Sequence, residues 1–316
     1  MKKSLGVFAL LAMFFTQVNA AKDPDKGFEV ILLGSGSPGI HVDRFSSSNL
    51  VKVAGKTFLV DAGRGAAIRM SQVGNPRQLL PSLDGVFLTH LHSDHLMGLS
   101  DVYMTGWLYG RNSVFDIYGP PGTKGLMQGL RSAYDKDVYY RSEVDTKYAT
   151  TGLEVNVTEY SSDRVLVSDG GLKITAFLVD HADIKPAFGY KFEYGGKCAV
   201  FSGDTRYSEN LIKHSRGCDV VIHEVSQVSD AYLKKRPSFQ TILDHHTLPV
   251  DVGRVFSRVK PSLGVFNHII AIDISEQELV DQARETYSGP LMVGHDLMKI
   301  SLSGDKPTVS DLRQSK

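Results

Sequence analysis

Thr89-His90-Leu91-His92-Ser93-Asp94-His95 decides the reading of this sequence, because it packs three imidazoles and a carboxylate directly behind the apolar run Val86-Phe87-Leu88. Such groups at the end of a buried strand would lack partners unless something binds them. They cannot all face one ion from a regular element. A loop at the strand's end can instead turn His90 and His92 toward one metal and Asp94 and His95 toward a second nearby.

Working outward, Phe28 to Leu33 reads as a strand and Asn49 to Val60 as a hairpin turning at Ala54-Gly55. Helical spacing follows at 65–72, 96–109 and 123–134, with buried-type runs at 86–88 and 114–118 between them. The second half repeats this flavour. Strands are expected at 173–179, 189–193, 198–202, 220–223 and 263–266, and helices at 208–214, 250–259 and 275–286. Two sets of strands with interspersed helices indicate an α/β sandwich in which each sheet carries a helical layer on its outer face. No Pro/Gly/Ser-rich linker divides the chain, so one domain over 21–316 is expected.

Gly34-Ser35-Gly36-Ser37-Pro38-Gly39 matches G-x-G-x-x-G behind a strand, but a dinucleotide site needs a helix to open there. Pro38 and the run Ser46-Ser47-Ser48 lead into a strand instead, so a tight glycine turn at the rim of the site is the better account.

Residues 1–20 are read as a cleavable export signal. Lys2 and Lys3 precede an apolar core from Leu5 to Phe15 and the small-x-small end Val18-Asn19-Ala20. The apolar core is too short to span a bilayer comfortably, so no stable membrane association is expected after cleavage. The expected location is the periplasm. The whole chain of 316 residues balances 35 basic against 35 acidic side chains. Without Lys2 and Lys3 it carries a formal charge of −2, which argues against a dedicated binder of nucleic acid or anionic membranes. Cys198 and Cys218 could pair in an oxidising compartment, but two buried thiols are the expectation. Neither has a second cysteine at metal-binding spacing.

The H-x-H-x-D-H box resembles the signature of the metallo-β-lactamase superfamily, and the resemblance extends over nearly all of residues 21–316. More narrowly, the chain looks like the branch holding ribonuclease Z (tRNase Z) and zinc-dependent arylsulfatases. Phe58-Leu59-Val60-Asp61-Ala62-Gly63 is similar to the first motif, and His181 before Gly189-Tyr190 to the isolated third histidine. Ser202-Gly203-Asp204-Thr205 resembles the motif of the bridging aspartate. Ile222-His223-Glu224 and His246-Thr247 resemble the pair beside the leaving group, and Phe266-Asn267-His268 the last ligand motif.

The resemblance implies an αββα four-layer sandwich holding two zinc ions. One is held by His90, His92 and His181, the other by Asp94, His95 and His268, with Asp204 shared. It implies hydrolysis by a hydroxide between the ions, with Asp94, Glu224 and His246 as the catalytic group and Asp61 orienting a ligand. His245 is the rival of His246, one residue away. His92 stands where the diiron oxidoreductases of the superfamily typically have glutamate, which favours hydrolysis over redox chemistry. His41, His214, His223 and His295 are read as structural or solvent-exposed.

Two Zn²⁺ and two carboxylates leave a charge of +2, so a small anionic ester, a phosphodiester or a sulfate ester, is the expected substrate. The ribonuclease Z arm is normally inserted between the third histidine and the bridging aspartate. Only 22 residues separate His181 from Asp204, enough for a hairpin, so tRNA is not the expected partner. Alternatives are a ribonuclease Z-type tRNA 3′ endonuclease, a lactone or cyclic-amide hydrolase, and a metal- or substrate-binding protein with little turnover. A homodimer is compatible with the sequence. Trp107, Tyr103 and Tyr109 either line an aromatic wall for a small organic group or pack into the core at helical spacing.

Overall fold

The computed structural model describes residues 27–314. The export signal expected over residues 1–20 lies outside them. The first half of the chain lays down β1 (Phe28–Gly34), β2 (Ser48–Val53), β3 (Lys56–Ala62), β4 (Gly85–Phe87), β5 (Phe115–Gly119) and β6 (Val155–Glu159). The second half lays down β7 (Arg164–Asp169), β8 (Leu172–Val179), β9 (Ala187–Tyr194), β10 (Lys197–Phe201), β11 (Val220–Val228), β12 (Leu263–Ile272) and β13 (Leu291–Val293). The chain then returns to the first sheet with β14 (Met298–Ser301) and β15 (Thr308–Asp311). One sheet runs β15-β14-β1-β2-β3-β4-β5-β6 and the other β13-β12-β11-β10-β9-β8-β7.

The inner faces of the two sheets bury Val30, Leu32, Phe58, Phe87, Phe188, Phe192, Phe201, Met298 and Ile300 in one cluster. Phe87 sits at its middle, with ring centroids 5.7 Å from both Phe58 and Phe192 and 4.7 Å from Tyr118. The outer face of the first sheet is covered by helices Ala66–Val73, Leu99–Leu108 and Thr123–Ala133. That of the second is covered by Glu209–Ser215, Pro249–Val259 and Glu276–Arg284. The result is the αββα sandwich that two half-buried sheets require.

Strands β3 to β6 pair in parallel, as do β10 to β13. Ligand sites in such sheets lie beyond the carboxyl ends of the strands. Here the 89–95 box follows β4, Asp204 follows β10, and β11 and β12 carry Glu224 and His268.

The structure departs from the sequence reading in places. Strands β6, β7, β13, β14 and β15 were not anticipated, because their burial is broken or partial: β7 has only its two central residues half-buried and the rest exposed, and β13 has three residues. The first long helix begins at Leu99 rather than 96, since Ser93–His95 forms a tight turn of 3-10 helix instead. Strand β11 continues to Val228, past the polar Glu224, Ser226 and Gln227 that end its apolar run.

The expectation of two thiols is also overturned, because Cys198 and Cys218 form a disulfide. The Asp219 carboxylate accepts from Cys198 N at 3.0 Å, and Asp219 N donates to Cys198 O at 3.1 Å. This clasp brings the starts of β10 and β11 together, with a Cα–Cα distance of 5.0 Å for the cysteines, within the span a bridge needs.

Candidate metal centre and active site

Extended backbone at His92 (φ −66°, ψ 145°) followed by the 3-10 turn at Ser93–His95 makes the box turn back on itself. One cluster of possible ligands is His90, His92, His181 and Asp204, and another is Asp94, His95 and His268. Asp204 lies between them. Its Oδ2 is 3.3 Å from His95 Nε2, 3.4 Å from His268 Nε2, 3.7 Å from His90 Nε2 and 4.0 Å from His181 Nε2. His268 Nε2 is also 3.1 Å from Asp94 Oδ2.

The outward nitrogens of three of these rings are already engaged. His95 Nδ1 meets Asp61 Oδ2 at 2.8 Å, His181 Nδ1 donates to His245 O at 2.8 Å, and His90 Nδ1 lies 3.0 Å from Thr89 Oγ1. Fixing Nδ1 in this way sets the tautomer and points Nε2 inward, the arrangement found around metal-bound histidine. The inward His90 Nε2, His95 Nε2 and Asp204 Oδ1 are buried and have no hydrogen-bond partner. Each such group costs about 1–3 kcal/mol if left unpaired, and a cation coordinated by nitrogen and carboxylate satisfies them together. The residues present therefore fit a pair of metal ions.

Two β-bulges and two glycines build this floor. Asp61 is the extra residue where β3 slips against β2, and His268 the extra residue where β12 slips against β11. Both take left-handed backbone, φ 59° and 41°. A bulge turns a side chain that would otherwise face the next layer, and left-handed backbone in a non-glycine residue is strain of the kind stored at functional sites. Gly203 has φ 61°, and a Cβ there would stand 2.5 Å from Phe188 O; a Cβ on Gly63 would stand 2.5 Å from Asp94 O. Both positions need glycine for the Asp204 and box loops to approach so closely.

From the protein groups alone, burial lowers His90 and lowers His181 to about 4, leaving neutral imidazoles suited to ligation. Burial would raise the Asp204 carboxyl, but the surrounding His268, His95 and His90 hold it well below its usual value. Burial likewise opposes ionisation of Asp94, and the hydrogen bond from His268 nevertheless brings it down to about 2.

Beside this floor, Glu224 Oε1 accepts from Thr247 N at 3.0 Å, Thr205 N at 3.2 Å and His246 Nδ1 at 3.2 Å. Of the two adjacent histidines, His246 thus meets Glu224, while His245 offers its carbonyl to His181. Burial lowers His246 to about 4 and raises Glu224, so this pair rests uncharged on the imidazole side.

A cleft of about 1020 Å³ opens over the centre, lined by the 36–44 loop, His92, Asp94, Asp204, Phe239, Ile242, His245, His246 and the 268–272 stretch. The glycine-rich turn is therefore a cleft wall, with no helix opening from it. His41, read as structural or exposed, is exposed on this wall. His214 stacks on Phe177 and pairs with Asp163, His223 is buried against Phe256, and His295 Nδ1 donates to Asp296 O.

The aromatic wall is absent from this cleft. Tyr103 and Trp107 are buried in the outer core, donating to Leu153 O and Ala149 O, and Tyr109 stacks under Arg77. Helical spacing on an apolar face took them inward. Sequence reasoning also missed Asp296, which is buried and accepts from Ser35 N, Phe45 N and Arg69 Nε at 2.8–3.0 Å, tying the cleft loop to the C-terminal strands. No signal short of the fold marks an aspartate so far along the chain as a partner of Ser35.

A family model described as a beta-lactamase superfamily domain matches residues 56–269. The ribonuclease Z of Mycobacterium marinum is 31% identical over 283 residues, covering 87% of this chain and 98% of that protein. That of Mycolicibacterium gilvum is 30% identical over 281 residues, covering 87% and 96%. Among solved structures, the metallo-beta-lactamase fold protein YhfI from Bacillus subtilis is similar with a TM-score of 0.67 at 16% identity, covering 87% of this chain and 99% of that one. The short form of human tRNase Z is similar with a TM-score of 0.63 at 20% identity, with the same coverages. At these identities the structural likeness speaks for the fold alone.

Proposed function

The chain belongs to the metallo-β-lactamase superfamily, in its ribonuclease Z-like branch, and from that premise we propose that it is a dizinc phosphodiesterase whose substrate class is the RNA 3′ end. The observation that carries the reading is the position of Asp204 Oδ2, within 4.0 Å of four inward-facing imidazole nitrogens. His90, His92 and His181 would hold one zinc and Asp94, His95 and His268 the other, with Asp204 common to both.

Two divalent cations at this point would lower the pKa of water toward neutrality and offset the charge of an anionic ester. The remaining steps belong to side chains. Asp61 holds the His95 ring through Nδ1, and the His245 carbonyl does the same for His181. Glu224 receives Nδ1–H of a neutral His246, which leaves Nε2 to take up a proton from solvent and give it to the departing oxygen. Thr205 N and Thr247 N fix the Glu224 carboxylate in turn.

The short segment between His181 and Asp204 folds as the β9–β10 hairpin, without a projecting arm. This does not set the chain apart from proteins named ribonuclease Z, since it spans 98% of the Mycobacterium marinum one. The loss of the aromatic wall also removes the feature that favoured small aryl esters. Export to the periplasm is a separate proposal, supported by the pattern of residues 1–20 and by a disulfide suited to an oxidising compartment.

The test is an assay of zinc-loaded protein against precursor tRNA, bis(p-nitrophenyl) phosphate, p-nitrophenyl sulfate, a lactone and a β-lactam. Cleavage of the phosphodiesters, with precursor tRNA cut on its 3′ side, is expected. Turnover confined to the sulfate, lactone or β-lactam would overturn the reading.

A further inference from the structure

The chain between β11 and His246 forms helix Asp230–Lys235, the turn Pro237–Phe239 and helix Gln240–Leu243. Ser229 caps the first helix by accepting from Tyr232 N. The segment then delivers Phe239 and Ile242 to the cleft beside His245 and His246. Phe239 is half-buried, its ring edge-on to Tyr232 at 5.3 Å between centroids. Immediately before it, Lys234, Lys235 and Arg236 are all exposed, and among the described residues none of them takes part in an ion pair. Arg236 O accepts from Phe239 N, so cation and aromatic ring belong to one turn.

The cleft itself offers no comparable cation. Arg44 lines it, but its guanidinium is taken up by Glu276, by Ser35 Oγ at 3.0 Å and by Gly294 O at 2.9 Å. The other charged groups on the wall, Asp43, Asp94, Asp204 and Glu276, are acidic. A substrate with phosphates beyond the scissile one therefore finds free positive charge on the exposed 234–236 stretch that leads into Phe239, and not on the cleft's own lining.

We propose that the segment from Asp230 to Ile242 is the docking site of a single-stranded RNA, with Lys234, Lys235 and Arg236 taking backbone phosphates and Phe239 stacking a base near the scissile group. An aromatic platform next to cations is how unpaired strands are held without sequence preference, and it requires bases free of a duplex. The proposal rests on the phosphodiesterase reading for its substrate, but it can be tested by binding alone.

Fluorescence anisotropy of a short fluorescein-labelled single-stranded oligoribonucleotide, titrated with the full chain over a range of salt concentrations, reads it directly. The triple variant Lys234→Ala, Lys235→Ala, Arg236→Ala should weaken binding about tenfold or more at low salt. Its slope of log K against log salt should be shallower by about 2, at roughly 0.7 per phosphate contact on a single strand. Phe239→Ala should weaken binding about fivefold or more with the slope unchanged. Turnover of bis(p-nitrophenyl) phosphate by the triple variant should equal that of the parent, which also shows that the variant folds. RNA binding absent in the parent, or unaltered in affinity and slope in the triple variant, overturns the proposal while leaving the phosphodiesterase reading intact. Salt-sensitive RNA binding without cleavage of either phosphodiester does the reverse.

Discussion

Asp61 and His268 occupy equivalent positions in the two sheets: each is the extra residue of a β-bulge, each has left-handed backbone, and the two approach the same centre from opposite halves of the fold. Asp61 reaches it through His95, and His268 reaches it through Asp94 and Asp204. Each half of the sandwich thus contributes one strained residue to a site that neither half could assemble alone.

Asp61 accepts from Thr89 N, Thr89 Oγ1 and His95, so it fixes both the start of the box and one of its rings. Asp61→Ala should lower metal affinity about 10- to 100-fold, the usual effect of losing such a supporting carboxylate. Competition against a chromophoric zinc chelator measures it, and an unchanged affinity would count against the orienting role.

His246→Ala should keep the metals and slow turnover by about 10²- to 10⁴-fold, the range for a positioned proton-transfer group. The defect should shrink for a p-nitrophenolate leaving group, which hardly needs a proton, relative to an alkoxide. A larger loss from His245→Ala would move the role to the neighbouring ring, which in the structure does not touch Glu224.

The loop closed by Cys198 and Cys218 has a sequence separation of 20. On chain entropy alone, opening it should cost about 3 kcal/mol of stability. Replacing both cysteines by serine should therefore lower the denaturation midpoint, while metal content stays constant, because the Asp219 clasp still holds the two strand starts. Denaturant titration and metal analysis on one sample decide both halves.

Asp296 is fully buried under Arg69, Ser35 and Phe45 N. Removing one partner of such a pair typically costs about 3–5 kcal/mol. Asp296→Ala should destabilise the chain by that order and speed hydrogen exchange in residues 35–45, the cleft wall it anchors. Normal protection there would show that the loop holds without it.

Much of this architecture is legible in the sequence where one local signal suffices. The box announces itself because His90, His92, Asp94 and His95 are crowded behind an apolar strand, and periodicity points to helices over 96–109 and 250–259, which the structure forms at Leu99–Leu108 and Pro249–Val259. What stays hidden depends on the other sheet. Nothing near Asp296 says that it will meet Ser35, and the bulges at Asp61 and His268 exist only once the neighbouring strands have set their register. The cysteine pair escapes for the same reason, since Cys198 and Cys218 come together through the β10–β11 register and the Asp219 clasp. Tyr103 and Trp107 illustrate the converse: their spacing fits a helix face, and only packing decides whether that face looks at a cleft or a core.

The account stands on Asp204 as the group shared by two metal ions, and metal analysis of zinc-saturated, dialysed protein tests it most directly when the parent is compared with Asp204→Ala and His268→Ala. Two zinc ions per chain in the parent, weakened binding at both positions in Asp204→Ala and loss of one ion in His268→Ala are predicted. A single ion in the parent, retained unchanged in Asp204→Ala, would contradict the shared-carboxylate centre.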